Sequence, residues 1–245
     1  MIEIVFGAPS RWRADIITEF RLRGTERCAA ASPSPGFPQL LESLLSALAG
    51  TPAGPWLDVG GGLGGTASWM RYTYGLDVIV ADPSLESLYA ARRLFRSLDV
   101  TAADTAALPI RNGSIAVVVV NGVISLMDDA DVMLVELRRV LCPDGRIAIT
   151  DLWSAGSTTF TQGPNTFWSL EDVSVLAERH GLLTVHHAVA DISTGWWSSA
   201  ATQINEEIVA RYSSEPTYPE WRADLDHLDD IIGSGRVIPA GLILG

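Results

Sequence analysis

Residues 56–70 read WLDVGGGLGGTASWM: a short apolar run, then five glycines within positions 60–65, then the start of a helical pattern. A strand, a glycine turn and a helix N-terminus in that order make a ligand cradle, because the first helical N–H groups lack intrahelical partners and the helix dipole adds partial positive charge. Glycine lets a ligand touch the backbone itself. Gly60, Gly62 and Gly65 fit the spacing G-x-G-x-x-G, and Asp82, at the end of the next apolar run, stands where a ribose-binding acid belongs. That spacing leaves nicotinamide dinucleotides and other adenosine ligands equally open.

Outward from the turn, apolar runs alternate with helical periods between residues 55 and 152. WLDV precedes a helix from Gly64 to Tyr74, DVIV precedes a helix from Ser84 to Leu98, and a short strand lies near Val100. The run IAVVVV (115–120), a helix from Asp129 to Leu141 and RIAIT (146–150) complete this half. Continuous β-branched runs mark strands covered on both faces, as in a parallel sheet. The expected class is α/β, a doubly wound, mostly parallel sheet. Ser84 is placed to cap its helix, Asp131 falls in the first turn of the next and Arg138 and Arg139 in its last, as the helix dipole favours. Before the sheet, residues 37–48 (FPQLLESLLSAL) predict an amphipathic helix behind the Pro/Ser-rich joint ASPSPGFP. After it come a polar loop over 153–166, a helix over 169–179, a strand over 183–190, a long helical tail and a closing strand in VIPAGLILG.

Length and charge narrow the function. The chain has 245 residues, 47% of them hydrophobic and 19% charged, which suits one large α/β domain. The longest apolar stretch, 115–127, is too short to span a bilayer, and the N-terminus lacks the basic start of a secretory signal. A cytoplasmic protein without membrane partners is expected. A net charge of −12 argues against nucleic acid, which needs a concentrated basic face. All 17 basic residues are Arg; with no Lys, a Walker A lysine, a Schiff-base lysine and a kinase lysine are excluded. Cys28 and Cys142 have no metal-type spacing and read as reduced structural thiols.

Asp58 bears on the ligand's identity. A carboxylate two residues before the first glycine would repel a pyrophosphate, whereas a cationic sulfonium with an α-amino group welcomes it. S-adenosylmethionine therefore fits better than a dinucleotide. Asp104, just beyond the third strand, is placed to accept the adenine amino group.

On these residues the chain resembles the class I S-adenosylmethionine-dependent methyltransferases, in particular small-molecule enzymes similar to the ubiquinone and menaquinone biosynthesis methyltransferases. LDVGGGLGG stands for D/E-x-G-x-G-x-G, VIVADPS carries the strand-end acid, and AADTAALPIRNGSIAVVVV and LMDDADVMLVELRRVLCPDGRIAITD follow in family order over about a hundred residues. The resemblance implies a Rossmann-like, seven-stranded sheet with an antiparallel last strand and helical cap elements. It divides one domain into an N-terminal helical cap (1–50), a cofactor-binding half (53–152) and a substrate-side half (153–245). It also implies that Gly60, Gly62 and Gly64 shape the loop under the methionyl moiety, with Asp58 orienting its amino end. Asp82 and Pro83 would serve the ribose, Asp104 and Thr105 the adenine, and Asn121 would line the pocket near the transferred methyl. Three positions depart from the pattern: Ala116 replaces an acid, Asp144 a glycine, and Ser125 a common histidine.

Methyl transfer from a sulfonium is an in-line displacement with an activated leaving group, so a base is needed only for a protonated acceptor. The sequence announces none. His186 and His187 lie mid-strand, with one expected to face the packing layer. His180 reads as a helix-terminal residue and His227 as part of a solvated face. Asp151, Trp153, Asp191, Ser193, Trp196 and Trp197, beyond the fifth and sixth strands, are the acceptor-pocket candidates, and their aromatics suit an apolar or ring-bearing metabolite; packing of the cap is the competing role for each tryptophan. The expectation is a small-molecule methyltransferase releasing S-adenosylhomocysteine, with no metal and with O-methylation ahead of N or C by family frequency. A cofactor-holding protein that does not transfer methyl, pericyclase-like or structural, is the second reading, and a nicotinamide-dependent oxidoreductase is the third, disfavoured by Asp58 and the missing lysine.

Overall fold

The computed structural model describes residues 2–127, 129–191 and 195–245, with side chains from residue 8 onward. Three helices precede the sheet: α1 (Ile2–Glu19), α2 (Gly24–Ala30) and α3 (Gln39–Leu45). The alternating half follows as β1 (Trp56–Val59), α4 (Gly65–Tyr74), β2 (Val78–Asp82), α5 (Leu85–Leu94), β3 (Asp99–Ala102), β4 (Ile115–Asn121), α6 (Ala130–Val140) and β5 (Leu141–Ser154). A small hairpin, β6 (Phe160–Gln162) and β7 (Asn165–Phe167), leads to α7 (Leu170–Arg179) and β8 (Thr184–Val189). Then come α8 (Ser199–Tyr212), α9 (Tyr218–Gly233) and β9 (Val237–Leu244).

Seven strands form one sheet in the order β3-β2-β1-β4-β5-β9-β8. β9 runs antiparallel to both β5 and β8, and the remaining pairings are parallel. This is the doubly wound, Rossmann-like arrangement that the strand pattern and the resemblance imply. The chain steps outward from β1 to β3 and then returns to β4 on the far side of β1. The order therefore reverses between β1 and β4, and a crevice opens beyond their carboxyl ends.

Both sheet faces are covered, which is why the central strands lack polar alternation. Val117 and Val119 face a core shared with α1, α2 and α4, while Val118 and Val120 face a second core with α6 and α7. All four valines are fully buried, each worth about 1.5–3 kcal/mol against exposure. Local chemistry sets the helix starts: Ser84 Oγ accepts from the Ser87 N–H at 3.2 Å, Asp129 from Asp131 at 2.9 Å and Ser169 from Asp172 at 3.0 Å. Arg138 and Arg139 close the last turn of α6.

Several boundaries differ from the sequence pattern. α5 stops at Leu94 rather than Leu98, because the chain turns at Phe95 and sends the Leu98 side chain, 2% exposed, against Gly64. The helix expected over 37–48 begins at Gln39 and tightens into a 3-10 turn at Ser46–Leu48, and it packs over β5, β8 and β9. The expected loop at 153–166 contains the β6–β7 hairpin, and the helical tail is two helices. β5 begins at Leu141 instead of Arg146, and its register against β4 shifts between the Ile115 and Val117 pairings. Within that irregularity Asp144 adopts φ 61°, the left-handed backbone a glycine would supply.

Candidate active site

At the carboxyl end of β1 the glycine turn is held from both sides. Gly60 donates its N–H to the Ala81 carbonyl at 2.7 Å, tying the turn to β2. Gly62 donates to Asp82 Oδ2 at 2.8 Å, while Asp82 Oδ1 accepts from the Ser84 N–H at 2.8 Å. Asp82 thus fastens the turn and the start of α5 with one carboxylate. Burial is the leading influence on it and pushes its pKa up, against the pull of those two N–H donors. Pro83 lies between these contacts.

Asp58 lies beneath the turn. It is 1% exposed, and its Oδ2 accepts from the Ala67 N–H at 3.1 Å. A Cβ on Gly61 would stand 2.8 Å from that oxygen. Oδ1 has no hydrogen-bond partner among the described residues. Burial drives the Asp58 carboxyl up to about 7, with the neighbouring Asp82 charge a smaller cause in the same direction. A buried carboxyl with an orphaned oxygen, under a turn of bare peptide, suits a ligand that brings a cationic end. Gly62 provides the opening: at φ 52° a Cβ there would meet nothing within 4 Å. Gly60, at φ 69°, is required for the opposite reason, since a Cβ would strike Val123.

The adenine-side candidates stand next to β2. The Ala103 N–H donates to the Asp82 carbonyl at 3.1 Å, which carries Asp104 and Thr105 toward the acid-bearing edge. Asp104 is exposed, and its Oδ1 accepts from the Ala106 N–H at 2.9 Å. Thr105 is buried and its hydroxyl contacts Met127 Sδ at 3.7 Å. Sequence reading missed what pins this loop. Glu136 accepts the Leu108 N–H at 2.7 Å, and Arg139 donates to the carbonyls of Leu108 and Ile110 at 2.9 and 2.8 Å.

Asn121, at the end of β4, is the centre of a network. Its Nδ2 donates to Thr66 Oγ1 at 2.9 Å and Ser32 Oγ at 3.2 Å, and its Oδ1 accepts from the Thr150 hydroxyl at 2.7 Å. Ser32 and Thr66 are themselves 2.8 Å apart. The network joins α4, β4 and β5 to the segment after α2, so the Pro/Ser-rich joint folds over the crevice. None of these partners lies within 28 residues of Asn121, and no local spacing announces them.

One residue beyond Thr150, Asp151 is 4% exposed. Its Oδ2 accepts from the Ser125 N–H at 3.0 Å and its Oδ1 from the Leu152 N–H at 2.6 Å. Burial, the largest cause, raises its pKa to about 6. The other acceptor-side candidates scatter. Trp153 is wholly buried in the second core, its indole N–H donating to the Ala240 carbonyl at 2.7 Å, which is the packing role. Trp196 packs against the small core of Leu152, Phe167, Ile231 and Val237, and its carbonyl accepts from the Gly36 N–H at 2.8 Å. Trp197 shares a shallow hollow of about 410 Å³ with Trp196 and the start of α8. Asp191 precedes the undescribed stretch, and Ser193 lies outside the described residues.

Both His186 and His187 are exposed, contrary to the expectation that one faces the packing layer, because β8 is the edge strand. His180 pairs with Asp131 at 2.8 Å. His227, expected on a solvated face, is half-buried against the hairpin at 3.1 Å from the Gln162 carbonyl. Among the described residues no group of three or more His, Cys, Asp or Glu is placed to hold a metal, and no helix is long and apolar enough to cross a membrane.

The seven-stranded, mostly parallel sheet with β9 antiparallel, flanked by helices on both faces, is the Rossmann-like methyltransferase fold. Residues 57–149, somewhat less than half of the chain, match the family described as a methyltransferase domain. No curated protein matches the chain. Among solved structures it is similar to phosphoethanolamine N-methyltransferase 2 of Haemonchus contortus in complex with S-adenosyl-L-methionine, with 18% identity over 86% of this chain and a TM-score of 0.65. This chain spans about half of that protein, 53%. It is also similar to the (4+2)-cyclase SpnF, at 17% identity, covering 83% of this chain and 79% of the other, with a TM-score of 0.65. The geranyl diphosphate C-methyltransferase of Streptomyces coelicolor A3(2) shares 12% identity over 83% of this chain and 76% of its own, with a TM-score of 0.58.

Proposed function

We propose that this chain transfers the methyl group of S-adenosylmethionine to a small apolar or ring-bearing metabolite, with a hydroxyl the first acceptor to test. The observation that carries the cofactor assignment is the pairing of an Asp82-fastened glycine turn with the buried, half-satisfied Asp58 beneath it. S-adenosylmethionine, when bound, supplies a methyl group on an already activated sulfonium. In this reading Gly60, Gly62 and Gly64 bring bare backbone to its amino-acid end, and Asp58 presents negative charge to the cationic groups. Asp82 with Pro83 holds the sugar side, and Asp104 with Thr105 borders the base. The protein's task is then alignment and exclusion of water. The Asn121 network serves it by fixing the segment after α2 across the strand ends. Where the acceptor arrives protonated, Asp151 is placed to take the proton, because its raised pKa makes it a stronger base than an exposed carboxylate.

A second reading is supported by the similarity to SpnF, a (4+2)-cyclase: the chain would keep its cofactor crevice without methyl transfer. Incubation with S-adenosylmethionine and a panel of phenols, carboxylates, amines and isoprenoids, scored by release of S-adenosylhomocysteine, separates the two. Turnover with one acceptor class supports transfer. Tight cofactor binding without turnover on any of them favours the second reading.

A further inference from the structure

A cavity of about 650 Å³ lies between α2, α4 and the turn that follows α5, and none of its lining residues belongs to the crevice described above. Arg27, Arg71, Arg93 and Arg96 line it. Four of the chain's 17 basic residues thus surround one hollow, in a protein whose net charge is −12. Two carboxylates answer them: Asp15 pairs with Arg93 at 2.7 Å, and Asp77 stands 3.8 Å from Arg71. Arg27 is locked in place by donating to the Leu22 and Leu94 carbonyls at 2.6 and 3.1 Å. The local balance stays positive by two.

The wall also holds unmatched donors. Ser68 is 7% exposed and its hydroxyl has no hydrogen-bond partner among the described residues; Arg71 Nη1 makes no hydrogen bond either, its one charged neighbour being Asp77 Oδ1 at 3.8 Å. Buried donors are ordinarily paired, so the Ser68 hydroxyl is a place where a ligand acceptor is missing. Leu94 and Phe95 give the same hollow an apolar side. Guanidinium groups match phosphate oxygens with paired N–H donors, and the volume falls in the range of small-molecule sites. A bare phosphate would leave most of it unfilled.

We infer that this cavity binds a small phosphorylated metabolite, a phosphate monoester on an apolar or ring-bearing body, at a site separate from the cofactor crevice. Phenyl phosphate is a suitable probe, titrated calorimetrically into protein saturated with S-adenosylhomocysteine so that the crevice cannot contribute. One equivalent is expected to bind, at least tenfold more tightly than either phenol or inorganic phosphate. Arg71→Gln and Arg96→Ala should each weaken it at least fivefold while leaving the melting temperature and S-adenosylhomocysteine affinity unchanged. Arg96 is exposed, so its variant decides the matter even where Arg71→Gln misfolds. Absence of binding, or binding that Arg96→Ala leaves intact, overturns the assignment. So does a DNA duplex that binds more tightly than phenyl phosphate and is released by the same variants, which would make the face a polyanion surface.

Discussion

The Gly62 N–H points at Asp82 Oδ2 from 2.8 Å, so the acid expected to grip the ribose also fixes the turn that carries the amino-acid end. The two roles share one carboxylate. Asp82→Ala removes the acceptor for both Gly62 and Ser84 and is expected to weaken S-adenosylhomocysteine binding by about 1–3 kcal/mol, the cost of leaving polar partners unmatched. Calorimetry measures it directly. An unchanged dissociation constant would mean that the sugar is held elsewhere and that the turn is stable without its anchor.

Gly62 separates shape from strain. A methyl group there meets nothing in the protein, so Gly62→Ala should cost only the left-handed backbone, about 1–2 kcal/mol, in thermal or urea unfolding. The same methyl points into the opening through which the ligand reaches the peptide, and cofactor binding should fall tenfold or more. Gly60→Ala adds a collision with Val123 and should destabilise more. Equal melting losses in the two variants, with equal cofactor affinity, would contradict this geometry.

The pKa of Asp58 makes both stability and binding depend on pH. The folded protein holds a proton there up to about pH 7, whereas an unfolded chain with an ordinary carboxyl near 4 has already released it. Stability of the ligand-free protein is therefore expected to fall as pH rises from about 4 to about 7 and to level off above. Asp151, raised to about 6, contributes in the same direction over the lower part of that window. A cationic ligand favours the ionised form, so S-adenosylmethionine affinity should rise through pH 7. Asp58→Asn should flatten both curves. Identical pH profiles for wild type and variant would remove Asp58 from this role.

How much of this was legible beforehand depended on whether the signal was local. The strands of the central sheet could be read because burial on both faces leaves unbroken β-branched runs, and Ser84 announced its helix start through its own side chain. Asp58 and the glycines could be located because one strand and one turn set their spacing, and Asp82 because it ends the next strand of the alternating pattern. The β6–β7 hairpin could not, since three-residue strands carry too little periodicity. Nor could the contacts of Asn121, whose partners Ser32, Thr66 and Thr150 come from distant segments. Trp153 illustrates the same limit from the other side, because an indole near a strand end reads alike whether it faces a ligand or, as here, the Ala240 carbonyl.

Asp144 offers a test confined to the backbone. It occupies a position where the family pattern has glycine, and it takes φ 61° there. Aspartate tolerates this conformation better than most residues, yet glycine adopts it without steric cost. Asp144→Gly should therefore stabilise the fold by about 0.5–1 kcal/mol, read as a higher urea midpoint, with the greater flexibility of the unfolded glycine chain opposing part of the gain. A loss of stability would show that the Asp144 side chain makes a compensating contribution.

Asp151 is where the proposed chemistry can fail most informatively. Its two oxygens accept backbone N–H groups from Ser125 and Leu152, so the carboxyl is held in one orientation at the end of β5. With its pKa near 6 it is ionised, and able to take a proton, above that pH and loses the capacity below it. Turnover of a hydroxyl acceptor should rise through pH 6 and then plateau. Asp151→Asn should lower kcat about 100-fold, in the range of lost general-base catalysis, with KM for S-adenosylmethionine little changed. An acceptor that arrives already ionised, such as a carboxylate, should be methylated by the variant at close to the wild-type rate. A uniform loss on both acceptors would instead mark Asp151 as a packing group that shapes the strand end.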